Sequence, residues 1–389
     1  MANSQTLTGF TELIYQARDI VLREPVGFAS SVIINSGSEG VSLNGTVKSF
    51  VAGEPTLNTD HTPAMTIPAG DDMTSTVEEM TIGQVARVNI PLKGETLRQL
   101  DNTVGRENFI KNTLAQAIRK ITNAIESHIG TVAKNGASRA LGTAGTTPFA
   151  SSHALVPQVN QILTDNGAPN DGQRTLVLST GAATNFKLLS NIYKVNESGD
   201  SSTLRNGTLT DIDGVQIKQS AGVASHTKGA GASYVINNGN IAVGSTTISV
   251  DGGTVNTTGF AAGDIITIAD EPSAGKYVIK TGLTAVAGDI VIAKPGLTGA
   301  IVDGKAVTIG NSYTGNVLFH RSAIELVMRP PAMPDGGDAA TDRMTVVDPD
   351  SGLVFEVAIY KGYGMSLMEL VCYYQAKVWK PQLVATLLG

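Results

Sequence analysis

The longest amphipathic stretch of the chain runs from Gly105 to about Ala133. Its apolar residues recur every three or four positions, the period of an α-helix, so they form one continuous stripe. At 1.5 Å per residue this helix is roughly 40–45 Å long, which is longer than most globular domains need. The stripe consists of Ile110, Leu114, Ile118, Ile121, Ile125, Ile129 and Val132. We predict the spine of an extended subunit; an ordinary core helix of an α+β enzyme is the alternative.

Charged residues occupy the other side of this helix, and the pattern predicts that they face water. We expect the helix to end through Gly130 and the Lys134-Asn135-Gly136 run, because glycine is common just past helix ends. The charged residues that the pattern places in water are Arg106, Glu107, Lys111, Arg119, Lys120 and Glu126.

A shorter amphipathic stretch covers residues 8–24 and stops at Pro25. A helix in this position, ahead of any domain core, is typical of an arm that docks on another surface. Packing on its own subunit is the alternative. The apolar residues predicted to dock are Phe10, Leu13, Ile14 and Ile20.

Residues 37–91 read as a long two-stranded excursion. Strand-like runs, TVKSFVA and VARVNIPL, flank a polar segment with three prolines and several acids. Long segments of this kind are uncommon inside compact domains and are usually functional. We predict an extended loop that reaches a neighbouring subunit. Its candidate contact residues are Glu54, Asp60, His61, Asp71, Asp72, Glu78 and Glu79.

The centre of the chain changes character twice. Helical and strand patterns alternate over residues 152–189, which indicates a compact α/β domain, and residues 203–223 look like a hairpin. From 237 to 315 the chain turns to short strands bounded by Gly, Pro or Asp, with AAGDIITIA echoed by AVAGDIVIA. We predict that this stretch is an inserted all-β domain, a small barrel or sandwich.

The main domain resumes after the insert. Residues 316–336 are predicted to form a strand or short helix that Pro330 and Pro331 end. Two long strands follow, LVFEVAIYKGY and SLMELVCYYQAKVW. Long paired strands and a long helix are natural packing partners, so we expect one elongated domain built from discontinuous sequence.

Composition favours a chain that assembles. Charged residues make up 16% of the 389 residues, against about 25% in a typical soluble domain. A folded chain with so little charge covers its surface with neighbours or with small neutral groups. The net charge of −6 argues against a dedicated nucleic-acid binder, which needs a basic face.

Candidate chemistry is scarce. The five histidines have no metal-ligand spacing, and phosphate-binding, dinucleotide and nucleophile-elbow motifs are absent. The single cysteine, Cys372, lies in an apolar strand and is expected to be a buried thiol. The start of the chain has no signal-peptide pattern, and no apolar run reaches 18 residues, so we expect a protein made and used in solution. We predict no catalytic residue, no metal and no cofactor.

The order of these segments resembles the major capsid (coat) proteins of tailed bacteriophages, in the short-tailed-phage branch with an inserted β-barrel domain. The resemblance extends over essentially the whole chain. Its motifs are YQARDIVLREPVGF, NTDHTPAMTIPAGDD, NFIKNTLAQAIRKITNAIESHI, GASRALGTAGTTPF, ILTDNGAP, GDIITIA, NVLFHRSAIELVMRPPAMP and YYQAKVWKPQLVATLLG.

The resemblance implies an α+β fold, that of the Hong Kong 97 phage capsid, with an all-β insert. The implied parts are an N-terminal arm (1–36), an extended loop (37–91), a peripheral domain with the spine helix (92–150 and 337–389), an axial domain (151–236 and 316–336) and the β-insert (237–315).

The resemblance also implies the function. Subunits of this family form pentamers and hexamers of an icosahedral head that encloses double-stranded DNA. A scaffolding protein and a portal protein guide a procapsid in the host cytoplasm, and the mature subunit belongs to the virion. No membrane partner is implied. A cytoplasmic nanocompartment shell and a β-rich surface protein remain alternatives.

Overall fold

A computed structural model describes residues 26–37, 40–52, 63, 65–67, 75–101, 106–194, 206–207, 209, 211–254, 258–273, 275–347 and 352–389. Helices α1 to α5 span Gly94–Asp101, Arg106–Asn135, Leu155–Asp165, Thr180–Leu188 and Ser190–Tyr193. Strands β1 to β20 span Ile33–Ser36, Thr46–Ala52, Ser75–Thr81, Gln84–Lys93, Arg139–Gly142, Arg174–Leu178, Val215–Gln219, Ser225–His226, Val235–Ile236, Thr247–Asp251, Ile265–Ile268, Tyr277–Thr281, Gly288–Ile292, Val307–Ile309, Tyr313–His320, Ile324–Arg329, Ala340–Val347, Val354–Gly362, Met365–Val378 and Val384–Leu388. The fold is therefore α+β, with few helices and large sheets.

The first large sheet is built around β19. Its order is β1-β16-β19-β18-β17, and β4 pairs with the other edge of β19. The pairing with β4 is antiparallel and runs from Met365–Lys93 to Tyr374–Gln84. Both long C-terminal strands predicted from the sequence are thus present, and they lie at the centre of this sheet.

The second sheet has two parts. Strands β7-β6-β15-β20-β5 form the first, and β12-β13-β10-β9 continue it, with β11 and β14 attached through β12. A single residue pair, Arg139 with Tyr277, joins β5 to β12. The join between the two parts is therefore narrow.

Helix α2 is the predicted long helix, and it lies against both sheets. It contacts β4 and β19 of the first sheet and β12, β15 and β20 of the second. Complete burial of one such aliphatic side chain stabilises the fold by about 1.5–3 kcal/mol. Its buried side includes Ile110, Leu114, Ile118, Ile121, Ile125 and Ile129. The apolar stripe therefore supplies the core between the two sheets.

One sequence expectation is wrong in detail. Glu126, expected in water, is 4% exposed. Helix α2 continues past Gly130 and ends at Asn135, within the predicted Lys134-Asn135-Gly136 run. The predicted hairpin at 203–223 has a turn at Asp213-Gly214, and β7 after this turn pairs in parallel with β6, whereas most of residues 203–210 lie outside the described residues. The burial of Glu126 could not be predicted, because the deciding contacts come from segments distant in sequence.

A separate apolar cluster fills the strands β9 to β14. The two echoed segments, GDIITIA and GDIVIA, carry β11 and β13, which lie on opposite edges of β12. The apolar residues buried here are Tyr234, Ile236, Ile241, Ile248, Val250, Phe260, Ile266, Ile268, Tyr277, Ile279, Ile290, Ile292, Leu297, Ile301 and Val307. This part of the chain has its own core, and Ile265 and Val278 face the main one instead.

Strands β2 and β3 form a third, two-stranded sheet. Their antiparallel register runs from Thr46–Thr81 to Ala52–Ser75. Within the described part of the chain, no helix has both the length and the apolar character needed to cross a membrane.

Candidate assembly site

The hairpin β2–β3 is fastened to the first sheet at its base. Met80 and Ile82 are buried there against Val327, with Trp379 packed beside them. Lys377 donates from Nζ to Glu78 Oε2 at 3.2 Å and to the carbonyl oxygen of Glu79 at 2.9 Å. Beyond this base β2 pairs with β3 alone. The hairpin is therefore held firmly at one end.

Two of the candidate contact residues in the extended loop can be placed. Glu78 binds Lys377, and Glu79 lies 3.4 Å from Lys48 across the hairpin. Both carboxylates are thus engaged within the subunit. The others, Glu54, Asp60, His61, Asp71 and Asp72, lie outside the described residues. Between the two strands, the described Met65 and Ile67 are almost fully exposed.

The arm residues Phe10, Leu13, Ile14 and Ile20 also lie outside the described residues. The described part of the arm begins at residue 26, and it is anchored to α2. Phe28 is buried and stacks on Phe319 with ring centroids 6.1 Å apart. Residues 26–31 of the arm thus pack on the main core.

Glu126 of α2 holds this segment through its carboxylate. The N–H groups of Gly27 and Phe28 donate to Oε1 at 2.7 Å each, and that of Ala29 donates to Oε2 at 2.9 Å. The hydroxyl of Ser220 donates to Oε1 at 2.8 Å. Four donors replace the water that a buried carboxylate loses, so the charge is accommodated.

A second buried charge lies two turns further along α2. Lys134 Nζ is 3.2 Å from His226 Nδ1 and 3.4 Å from the carbonyl oxygen of Ser225. His226 Nε2 lies 2.8 Å from Asp264 Oδ1, and Asp264 also accepts from the N–H groups of Gly229 and Ala261. Burial lowers the pKa of Lys134 to about 8, although Asp264 opposes this shift. The cluster joins α2 to the start of the β9–β14 region.

The segment 220–226, which we call the strap, crosses α2 between these two charges. Ser220 binds Glu126 at one end of the strap, and His226 binds Lys134 at the other. A Cβ atom on Gly130 would lie 2.7 Å from the carbonyl oxygen of Gly222. Glycine at position 130 is therefore needed for the close crossing, which explains its place inside a helix.

Sequence reasoning missed Glu126 as a functional residue, although a signal was present. Its neighbours three and four positions away on the helix are Thr122, Asn123, Ile129 and Gly130, and all but Asn123 are small or apolar. A carboxylate within such a set lies next to the apolar stripe and not opposite to it. Its partners at positions 27–29 and 220 could not be identified from the sequence.

Reactive chemistry is weak across the described residues. They contain no group of three His, Cys, Asp or Glu side chains that could hold a metal ion. Burial raises the pKa of the Cys372 thiol to about 12, so it is a poor nucleophile.

One Ser-His-Asp arrangement has a structural explanation. His320 Nε2 lies 3.0 Å from Asp171 Oδ1, and Nδ1 lies 2.8 Å from Ser322 Oγ. The N–H of Ser322 also donates to Nδ1, at 3.2 Å. The imidazole therefore caps the turn at 321–323, a role that needs no catalysis.

Comparison with known proteins finds similar solved structures at low sequence identity. No protein-family model matches it, and no curated protein matches it. The capsid structure of the cyanophage P-SCSP1u is 11% identical, with a TM-score of 0.49 over 94% of this chain and 88% of that one. The mature capsid of bacteriophage PhiM1 is 9% identical, with a TM-score of 0.47 over 93% and 86%. A virus-like particle from Pyrococcus furiosus is 7% identical, with a TM-score of 0.45 over 97% and 98%.

Proposed function

We propose that this chain is a major capsid protein of a tailed bacteriophage. In this proposal it self-assembles into pentamers and hexamers of an icosahedral head that encloses the packaged DNA, through a scaffold-assisted procapsid. Its partners are further copies of itself, a scaffolding protein and a portal protein, and its location is the virion. The protein acts as a structural component and not as an enzyme.

The observation that carries the proposal is the hairpin β2–β3. It is rigidly fastened at its base by Lys377 and by the buried Met80 and Ile82, yet it leaves Met65 and Ile67 exposed. Exposed large apolar residues on a fastened projection favour contact with a second protein surface. A low share of charged residues is also typical of surfaces that neighbours cover.

The proposal also includes the domain division that the resemblance implies. The region 237–315 is proposed as an inserted β-domain that supports the subunit. The separate apolar cluster of β9–β14 and the single-pair join at Arg139 and Tyr277 support this assignment. The chain ahead of this region also lies beside its end, because β8, which precedes β9, pairs with β15 through His226 and Tyr313.

Negative-stain electron microscopy of the purified full chain tests the proposal. We expect closed shells, polymorphic in size because the scaffolding protein is missing. A variant in which a short Gly/Ser turn replaces residues 53–74 should stay folded but fail to form shells. A wild-type chain that elutes only as a stable folded monomer at about ten micromolar or above would contradict the proposal.

The same preparation separates the two alternatives. A nanocompartment shell should form one uniform particle without scaffold, whereas a β-rich surface protein should form small oligomers or none. Polymorphic shells that become uniform when a cognate scaffolding protein is added favour the capsid.

A further inference from the structure

One end of the first sheet carries a basic cleft. Lys93 ends β4, Arg98 lies on α1, and both line a cleft with the turn between β18 and β19. Tyr363 of that turn is fully exposed. The complete lining is Lys93, Gly94, Glu95, Arg98, Tyr363, Gly364 and Met365.

Among the described residues, the cations of this cleft have no ion-pair partner. Lys93 and Arg98 are both exposed, and none of the described ion pairs includes either of them. Glu95 is the single carboxylate in the described lining. The lining therefore has two cations against one carboxylate, and it lies beside an exposed aromatic ring. Such a combination favours an anionic partner.

The opposite side of the same sheet end is acidic. Strand β17 begins at Ala340, which pairs with Tyr360, so its start lies level with Leu367 and Pro91, two residues from Met365 and Lys93. The loop ahead of it, residues 335–339, carries the exposed Asp335. The acidic residues on this side are Asp335, Asp338, Asp342 and Glu356.

Internal pairing leaves this side negative. Arg343 binds both Asp338 and Glu356, and the hydroxyl of Tyr360 donates to Asp338 at 3.1 Å. One guanidinium therefore faces more than one carboxylate. The N–H of Ala340 and the nearby Arg343 and Tyr360 hold the pKa of Asp338 below its usual range, so this group is charged at neutral pH.

Lys93 on β4 and the start of β17 are too far apart to neutralise each other. Three inter-strand spacings, about 15 Å, separate these two strands. Charges exposed to water interact weakly beyond about 8–10 Å at physiological salt. Each side is therefore available to a partner of the opposite charge.

We propose that the basic cleft of Lys93 and Arg98 receives the acidic 335–342 side of a second copy of this chain. The two surfaces differ, so the contact is head-to-tail, and copies related by a closing rotation form a ring. The proposal rests on the proposed function, since it takes further copies as the partner. A nucleic acid is the less suitable partner, because a chain of net charge −6 repels a polyanion over most of its surface.

A charge exchange tests this contact on the full chain. The variants are Lys93→Glu, Asp335→Lys and their combination, with Lys280→Glu on the exposed side of β12 as the matched control. Sedimentation velocity measures the protein concentration at which association begins. Each single reversal should raise this concentration about tenfold, and the combination should return it to within about threefold of the wild-type value. Raising NaCl from about 50 mM to about 500 mM should also raise this concentration for the wild type, because salt screens the charges.

The outcomes separate this inference from the proposed function. Shells that form equally well in all four variants overturn the contact alone. Small oligomers that respond to the exchange as described overturn the shell function but support the contact. A wild-type chain that stays monomeric overturns both. If Lys93→Glu abolishes binding of a short fluorescein-labelled DNA duplex and leaves association unchanged, the cleft is a nucleic-acid site and the proposed contact is wrong.

Discussion

Two buried charges on one helix distinguish this chain at the scale of single residues. Glu126 and Lys134 are each 4% exposed. An ion without water is costly by several kcal/mol unless donors or acceptors replace its hydration shell. Glu126 is surrounded by donors, and Lys134 lies between His226 and a backbone carbonyl. Each charge thereby fixes one end of the strap.

Glu126→Gln should destabilise the protein by about 3 kcal/mol. The amide NH2 group would bring two more N–H donors into a site where four donors already bind the carboxylate oxygens. Urea unfolding followed by circular dichroism measures the change. Glu95→Gln makes the same substitution on an exposed helical position and should cost less than about 1 kcal/mol. Equal unfolding midpoints for the two variants would show that the Glu126 bonds contribute nothing.

Lys134 should make stability depend on pH. Its pKa is about 8 in the folded protein and 10.5 ordinarily, so between these values the unfolded chain binds more protons than the folded chain. The free energy of unfolding therefore gains a component that rises with pH from about 8 upward. Lys134→Met removes the titrating group. The free energy of unfolding of the wild type minus that of this variant should therefore increase from about pH 7.5 to about pH 10.

Urea midpoints at a series of pH values measure this difference. Lys120→Met, on the exposed side of the same helix, is the control and should give a flat difference. A flat difference for Lys134→Met as well would mean that the amine is not desolvated.

At the scale of elements, α2 acts as the support on which other segments are fastened. The apolar stripe packs between two sheets, and the strap crosses the helix at Gly130. Glycine in a helix interior normally lowers stability relative to alanine by about 1 kcal/mol. Here the close approach of Gly222 and Phe28 reverses that preference.

Gly130→Ala should therefore destabilise the protein, by about 1–3 kcal/mol, in spite of its better helix propensity. The new Cβ atom would lie 2.7 Å from the carbonyl oxygen of Gly222 and 3.1 Å from the ring of Phe28. Thermal unfolding measures the effect. Gly181→Ala in α4 is the matched control, because its Cβ atom meets nothing closer than 3.7 Å. A rise in melting temperature for both variants would show that the strap does not press on the helix.

At the scale of the whole molecule, the described residues have two large apolar cores. The larger core lies between the two sheets and includes α2, whereas the smaller lies within β9–β14. They are connected through the β5–β12 pair, through the Lys134 cluster, and through Ile265 and Val278, which face the larger core. This arrangement predicts that the smaller unit is able to fold by itself.

Residues 228–312 expressed alone should fold cooperatively, because this range contains the whole smaller cluster. Residues 237–315, the range expected from the sequence, should be less stable, since they lack the buried Tyr234 and Ile236. Tyr234 also donates its hydroxyl to the carbonyl oxygen of Ala285 at 2.8 Å. Dispersed amide resonances and a cooperative thermal transition would support autonomy, and a collapsed spectrum for 228–312 would rule it out.

Much of the fold follows from local pattern. The spacing of Ile110, Leu114 and Ile118 predicts α2, and the β-rich runs predict β18 and β19, because each pattern depends only on the period of its own backbone. The short apolar runs of the predicted insert form strands β10 to β14. A further run of this kind, NIAVG at 240–244, contributes only an isolated bridge between Ile241 and Ile301.

The pairing of these elements could not be predicted in the same way. Residues 316–336 read as one segment, yet β15 joins the second sheet and β16 joins the first. A strand pattern specifies which face is apolar but not which neighbour will pair with it. The parallel pairing of β7 with β6 could not be predicted for the same reason.

The sequence by itself therefore determined the elements, the absence of catalytic motifs and the low charge that indicates assembly. Only the tertiary structure decided which charges are buried. Glu126 reads as a solvent-facing residue because its helix neighbours do not reveal the donors at 27–29 and 220. Burial of a charge depends on whether distant groups replace its water, and those groups are brought together only when the chain folds.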